Sequence, residues 1–296
     1  MLLGLNSVLL ASIEVGLIFA ILSMGVVFTF KILDIADLSV EGTFPLGAFI
    51  FAKMITSGLG VYISMIFSFI FGLVAGLVTF LLYKKLKIAS ILAGILTMTI
   101  LYSVNLRIMG KSNVALFDFD NLFVKFEKIP KGLILFAIVL IIKIIIDSFL
   151  KTERGYMLVI TGDNESLVKS LGKNPDLYTM IGLMISNGLV SLSGALMSQY
   201  QGFADSQMGA TIIVTALASI IIGDTFLKNS RKIKITTRAI SGAIIYRIIS
   251  GLAIHAGLDS SDLKMVTAFI VILFITYNNV SAGRIKRIKK SVNNER

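Results

Sequence analysis

Residues 8–33 read VLLASIEVGLIFAILSMGVVFTFKIL, a long apolar run with Glu14 near its start. A helix needs about 20 mostly apolar residues to cross a bilayer, so this stretch predicts a membrane span. The first 12 residues carry no Lys or Arg, and the apolar run is too long for a cleaved signal peptide. We therefore expect the first span to remain in the protein.

Similar apolar runs continue along the chain and define the predicted fold class. We expect an all-α, polytopic integral membrane helical bundle of about eight to nine spans, with one or two broken or re-entrant elements. The candidate spans after the first are 44–57, 61–83, 88–109, 132–150, 177–200, 211–227, 239–257 and 263–280. The 44–57 run is short, carries Lys53, follows Gly42 and has Pro45 at its start, which predicts a half-helix or re-entrant element.

Composition excludes several classes of protein. Of the 296 residues, 56% are hydrophobic and 15% charged, against about 45–50% and about 25% in soluble domains. One buried core cannot absorb this apolar excess. A soluble enzyme, a disordered protein and a disulfide scaffold are therefore excluded, the last also because Cys is absent.

The net charge of +11 fits basic cytoplasmic loops better than nucleic-acid binding. Three clusters carry it: Lys84–Lys87, Lys228–Arg238 and the tail from Arg284. Nine spans place all three clusters inside, with the N-terminus outside and the C-terminus cytoplasmic. We therefore divide the chain into a transmembrane domain, 1–283, and a basic cytoplasmic tail, 284–296.

The same span count places the loop 110–131 outside and the loop 151–176 inside, although their charges do not distinguish them. Neither loop is long enough to be a soluble nucleotide-binding domain. The Gly110-Lys111-Ser112 sequence is not a phosphate-binding loop, because position 105 is Asn105 and no strand leads in. With His255 as the single His and no Cys, we predict no catalytic residues and no metal site.

The inner loop contains a predicted short amphipathic helix. Asp163 or Asn164 can cap its start, where Glu165 favours the positive helix end. We predict that Leu167, Val168 and Leu171 share one face and that Gly172 ends the helix. Such a short helix needs a surface to dock against, either a cytoplasmic partner or the lipid interface.

Two segments combine Gly with hydroxyl or acidic side chains near the membrane, Asp34–Phe49 and Gln201–Asp224. Interrupted segments of this kind indicate a transport pathway, although ordinary loop-to-helix junctions can look the same. In the sixth span, polar and small residues recur every three to four positions, which favours either helix packing or a wet pathway. The candidate pathway residues are Asp37, Ser39, Glu41, Thr43, Asn187, Ser191 and Thr215.

Other polar residues inside the spans have simpler interpretations. Lys143 and Asp147 are spaced i, i+4 and can pair. Gly72 and Gly76 form a GxxxG pattern that predicts close helix contact. Arg247 lies within the eighth span, and the sequence leaves its role open.

Three pieces of the chain together resemble permease subunits of bacterial importers in the branched-chain amino acid and ribose permease superfamily of ABC transporters. They are Asp37–Gly42, the loop from Gly162 to Asn174, and Ala216–Gly223. The first departs from the family pattern, because Glu41 is inserted before the Gly. Within the superfamily, the chain is most similar to permeases encoded with tryptophan/tyrosine-type binding proteins.

The resemblance implies an ATP-driven importer in the bacterial cell membrane, with amino acids or a similar small polar solute as substrate. Two permeases, a homodimer here, would form one pathway, and an extracytoplasmic binding protein would deliver the substrate. Separate ATPase subunits would carry ATP and Mg, so that this chain itself binds no cofactor and is not an enzyme. The residues implied in ATPase coupling are Gly162, Asp163, Asn164, Glu165, Leu167, Val168, Leu171 and Gly172.

Two alternatives remain at the level of sequence. An ion-coupled secondary transporter would need an intramembrane carboxylate or His, for which Glu14, Asp147 and His255 are candidates. A membrane-embedded enzyme would need a catalytic constellation, and the sequence offers none of the usual ones.

Overall fold

The computed structural model describes residues 2–227, 233–259, 262, 265–274 and 276, and these are mostly helical. The helices are α1 (Leu2–Val27), α2 (Val40–Thr56), α3 (Val61–Phe80), α4 (Ser90–Met109), α5 (Leu122–Lys125), α6 (Lys131–Phe149), α7 (Glu153–Asp163), α8 (Glu165–Ser170), α9 (Pro175–Gln201), α10 (Ile212–Leu227), α11 (Ile235–His255) and α12 (Met265–Phe274). Helices α1 and α3 each end in a π-helical turn, Phe28–Ile32 and Leu81–Lys85. Two short strands, β1 (Asn113–Ala115) and β2 (Phe203–Asp205), pair antiparallel.

Six helices of the described residues are long and apolar enough to cross a membrane: α1, α3, α4, α6, α9 and α11. The all-α membrane architecture is therefore confirmed, and the count of eight to nine spans is not. Helix α2 has 17 residues and α10 has 16, so at about 1.5 Å per residue neither covers a hydrocarbon core of about 30 Å. The predicted 263–280 span lies partly outside the described residues. The predicted tail, 284–296, lies entirely outside them.

The bundle has an inner layer and an outer layer. Helices α1, α2 and α9 are mostly buried, whereas only 28–33% of the apolar stretch of α3, α4, α6 and α11 is buried. The outward faces carry large apolar side chains such as Ile66 and Ile145, which are 57% and 61% exposed. Apolar surface on this scale suits lipid contact and would be unfavourable in water.

Small residues allow the inner helices to pack closely. A Cβ atom at Gly47 of α2 would lie 1.8 Å from the Ser191 carbonyl oxygen of α9. The predicted Gly72–Gly76 pair of α3 also lies against α9, because a Cβ atom at Gly76 would meet the Leu183 carbonyl oxygen at 2.3 Å. Larger side chains at these positions would separate the helices.

The loops gather at two opposite ends of the bundle. Strand β1 follows α4 and pairs with β2, which follows α9, so the loop 110–131 lies at the carboxyl end of α9. The loop 151–176 lies at the amino end of α9 and contacts Lys84 and Ile32. The two loops thus lie at opposite ends, as the span parity predicts.

Candidate functional site

Helix α2 begins inside the protein. Its chain passes from the π-helical turn at the end of α1 through a non-helical segment, 33–39, in which Asp34 adopts φ +54°. Asp37 and Ser39 are both buried, and the Asp37 Oδ1 atom accepts a hydrogen bond from the Ser39 backbone N–H at 2.9 Å. The part of the broken backbone that leads into α2 is thus enclosed by protein, whereas Asp34 and Ala36 earlier in the segment are exposed.

Asn187 of α9 joins this start of α2 to the bundle. Its Nδ2 atom donates to Asp37 Oδ2 at 2.8 Å and to the Leu183 carbonyl at 3.1 Å. Its Oδ1 atom accepts from Thr43 Oγ1 at 2.7 Å and from Ser39 Oγ at 3.1 Å. We call Asp37, Ser39, Thr43 and Asn187 the Asn187 cluster. It unites four of the predicted pathway residues in one closed hydrogen-bond network.

The other predicted pathway residues lie elsewhere. Ser191 donates from Oγ to the Ser68 carbonyl at 2.6 Å and so links α9 to α3. Glu41 borders a cavity of about 250 Å³ that is also lined by Asn105, whose buried Oδ1 atom has no hydrogen-bond partner among the residues that the structure describes. Thr215 borders a separate cavity of about 350 Å³, together with Arg247. Asn105 is not among the predicted pathway residues, although an isolated Asn in an apolar helix is a sequence signal that could have identified it.

The two broken segments meet at Glu41. Its carboxylate accepts hydrogen bonds from the backbone N–H groups of Thr211 and Ile213, at the first turn of α10. Thr211 has φ +63°, and a Cβ atom at Gly209 would lie only 1.9 Å from the Glu41 carbonyl oxygen. The sequence predicts each break separately, whereas the structure brings both into contact.

The predicted loop helix forms as α8. Asn164 caps it, since its Oδ1 atom accepts from the Leu167 backbone N–H at 3.1 Å, and Gly172 ends it with φ +72°. The predicted shared face is not seen. Val168 is buried, whereas Leu167 and Leu171 are 46% and 51% exposed. A one-turn helix lying on the bundle must turn one apolar side chain inward as its anchor.

Helix α8 is tied to the end of α3 and, through α7, to the end of α1. Lys84 Nζ lies 2.6 Å from Glu165 Oε1 and 3.7 Å from Asp176 Oδ1. A Cβ atom at Gly162 in α7 would lie 1.7 Å from the Ile32 carbonyl oxygen, so α7 packs directly on the π-helical turn of α1. Asp163, at the end of α7, is exposed. Helix α7 was not predicted, because its single apolar run is short.

Three further ion pairs lie at this end of the bundle. Lys173 and Glu153 lie 3.1 Å apart, and the hydrogen bond from Lys173 to Glu153 raises the pKa of the Lys173 ammonium. Asp147 pairs with Lys143 at 2.7 Å, as predicted, and also with Lys234 at 2.9 Å. Because both Lys ammonium groups pair with the Asp147 carboxylate, Asp147 is a poor candidate for binding a coupling ion.

Several apolar spans, two broken elements that meet inside the bundle and a buried polar cluster are typical of a membrane transport protein. Comparison with known families agrees. Residues 8–276 match the family described as branched-chain amino acid transport system, permease component, and the chain belongs to this family.

Relatives support the same assignment. The chain is 44% identical to a tyrosine transport system permease protein of Clostridioides difficile (strain R20291), covering 94% of this chain and 93% of the relative. It is 34% identical to an uncharacterized protein of Rickettsia prowazekii (strain Madrid E), covering 93% and 98%. A probable ABC transporter permease protein of Sinorhizobium fredii (strain NBRC 101917 / NGR234) is 25% identical, covering 92% and 81%. No solved structure matches the chain. The chain is thus a permease component of a transport system.

Proposed function

We propose that this permease is the translocation subunit of an ATP-driven importer and that α8 couples it to a separate ATPase chain. The observation that carries the proposal is the geometry of α8. Leu167 and Leu171 point away from the bundle, while Val168 and the Glu165–Lys84 ion pair hold the helix in place. A braced helix with two exposed leucines offers a partner an apolar contact on a rigid support.

The structure also suggests how a push on α8 could reach the pathway. Helix α8 follows α7 directly, and Gly162 of α7 rests on the carbonyl of Ile32. The next segment of the chain, 33–39, enters the Asn187 cluster. Since packed elements shift as rigid bodies, movement of α7 and α8 would act on the start of α2. We propose the Asn187 cluster as the closed gate of the pathway. Ser191 would keep α9 in contact with α3 next to this gate, and Glu41 and Thr215 would line the pathway cavities beside it.

The remaining parts of the assembly follow from the family. ATP and Mg would be bound by the partner ATPase, and an extracytoplasmic binding protein would deliver the solute to a permease homodimer. The relative from Clostridioides difficile is named for tyrosine transport, and it covers nearly the whole chain. We therefore propose an amino acid, with L-tyrosine as the first to test.

The coupling role is tested by replacing both exposed leucines, Leu167→Ser with Leu171→Ser. Burying a Leu side chain contributes about 1.5–3 kcal/mol, and every 1.4 kcal/mol is about tenfold in affinity. We expect ATP-driven uptake of L-tyrosine by the reconstituted complex to fall at least tenfold, with an unchanged amount of permease in the membrane.

The matched control is Leu177→Ser. Leu177 lies at the same end of the bundle and is also 46% exposed, but it belongs to α9. We expect this variant to transport normally. Unchanged uptake in the double variant would exclude α8 as the coupling element. Uptake driven by a proton or sodium gradient in liposomes holding this chain alone would instead establish a secondary transporter.

A further inference from the structure

Arg247 lies near the middle of α11 and has no acidic partner among the described residues. It is the thirteenth of the 21 residues of α11, so its Cα atom is about 12 Å or more from either end of the helix. Within the described part of the chain it forms no ion pair, and its buried Nε atom has no hydrogen-bond partner there. An unpaired cation at such depth is costly and indicates a functional site.

Aromatic packing holds the guanidinium without using its N–H groups. The Arg247 Cζ atom lies 3.5 Å from the centroid of the Phe19 ring of α1. Small residues permit this approach, because a Cβ atom at Gly16 would lie 3.0 Å from the α11 backbone. Stacking on a ring face leaves the in-plane donors of Arg free, and their forked geometry fits a carboxylate.

Arg247 borders a cavity of about 530 Å³ between α1 and α11, and also a smaller cavity of about 350 Å³ that extends to α10. Phe19, Arg247 and Ser250 form one side of the smaller cavity, which we call the Arg247 cavity, and Thr211, Ile212 and Thr215 form the other. The latter three belong to the first turn of α10 or directly precede it, where the helix dipole is positive. The unpartnered guanidinium therefore favours an anion in this space, whereas the N–H groups at the start of α10 are already occupied by the Glu41 carboxylate.

The charge of Glu41 does not fill this role. Its carboxylate accepts from the N–H groups of Thr211 and Ile213 and borders the neighbouring cavity, which Arg247 does not line. The Arg247 cavity therefore presents a cation without an anion from the described residues. The volume is sufficient for a group the size of an amino acid.

We propose that this cavity binds the carboxylate of the transported solute, with Arg247 as the group that pairs with it. The inference rests on the proposed function as an importer of amino acids. It assigns to the permease a selectivity of its own, separate from that of a binding protein. A lipid phosphate is the competing anion, and the experiment distinguishes the two.

The test measures equilibrium binding of radiolabelled L-tyrosine to the purified permease–ATPase complex in nanodiscs, without binding protein. Unlabelled L-tyrosine and L-tyrosine methyl ester serve as competitors, since the ester replaces the carboxylate by an uncharged methyl ester group. We expect L-tyrosine to compete at least about tenfold better than the ester, because a charge-assisted pair contributes more than 1.4 kcal/mol. In Arg247→Gln this ratio should fall to near one, and Arg247→Lys should retain part of it. Arg107→Gln, which removes an exposed arginine of α4, should retain the full ratio.

Several outcomes would overturn the inference. They are the absence of saturable binding to the wild type, equal competition by the ester, and an unchanged ratio in Arg247→Gln. A phospholipid that co-purifies with the wild type but not with Arg247→Gln would identify a headgroup as the occupant. The wild-type ratio alone tests the proposal if the Gln variant fails to fold. ATP-driven uptake by the complete wild-type complex is measured in parallel, so that a failure of the importer function is recognised separately.

Discussion

Asn187 satisfies all of its side-chain hydrogen-bonding capacity inside the bundle. Its four contacts reach two elements, the start of α2 and its own helix α9. A fully satisfied buried network is directional and fixes one arrangement, whereas a partly satisfied one is strongly destabilising. This residue therefore decides whether α2 can begin at the observed position.

Replacing Asn187 by Leu should destabilise the permease. The change conserves volume but leaves Asp37 Oδ2 without the amide that donates to it, and it removes the shorter hydrogen bond of the Thr43 hydroxyl, which keeps the Ser39 carbonyl. Each buried polar group left unsatisfied costs about 1–3 kcal/mol, so we expect the detergent-solubilised protein to melt several degrees lower. Ser186→Ala is the matched control, since Ser186 Oγ is buried and has no hydrogen-bond partner in the described ranges. An unchanged melting temperature in Asn187→Leu would show that the Asn187 cluster does not stabilise the permease.

The sequence could identify these residue types but not their arrangement. Asp37 and Asn187 stand out as polar groups in apolar surroundings, and both prove to be in one cluster. Their separation of 150 residues, however, leaves no periodic signal from which contact can be inferred. For Val168, the sequence predicted an arrangement, and that prediction was wrong. Helical spacing grouped it with Leu167 and Leu171, but only tertiary packing determines which face of so short a helix is buried.

At the scale of elements, α2 and α9 pack in close backbone contact. Gly47 of α2 faces the Ser191 backbone, and Gly194 of α9 faces the Phe44 backbone. The contact is thus reciprocal, with one glycine from each helix. Pro45 and Gly42 allow the sequence to predict that α2 is irregular. The partner helix, and the β1–β2 ribbon between distant loops, depend on long-range pairing that local propensity does not encode.

Gly194→Ala should disrupt this helix pair. Its new Cβ atom would lie 1.9 Å from the Phe44 carbonyl oxygen, a backbone atom that cannot rotate away. Overpacking of this kind costs about 1–3 kcal/mol or more, and we expect a lower melting temperature together with reduced uptake. Gly60→Ala serves as control, because φ there is −68° and a Cβ atom would meet nothing within 4 Å. Equal stability of the two variants would show that α2 and α9 can separate without cost.

At the scale of the whole molecule, charge and contact patterns agree. The ion pairs Lys31–Asp224, Lys84–Glu165 and Lys234–Asp147 join the ends of α1, α3, α6 and α10 and the starts of α8 and α11. All of these ends belong to the face that the basic clusters predict to be cytoplasmic. The opposite face carries the β1–β2 ribbon, where Asn113 Nδ2 lies 2.9 Å from Asp205 Oδ2. Helices α2 and α10 are each too short to span a membrane alone, but they run between the two faces, so that successive helices still begin at alternating faces.

The orientation of these two faces is open to a direct measurement, because the chain contains no Cys. Ser166→Cys places a single thiol on exposed α8, and Asp118→Cys places one on the exposed loop before α5. Since Lys- and Arg-rich loops remain in the cytoplasm, we expect a membrane-impermeant maleimide to label Asp118→Cys in intact cells. Ser166→Cys should react only after permeabilisation. The reverse pattern would show the opposite orientation in the membrane, with α8 outside and out of reach of an ATPase. Labelling of both sites in intact cells would contradict the placement of the two loops on opposite sides of the membrane.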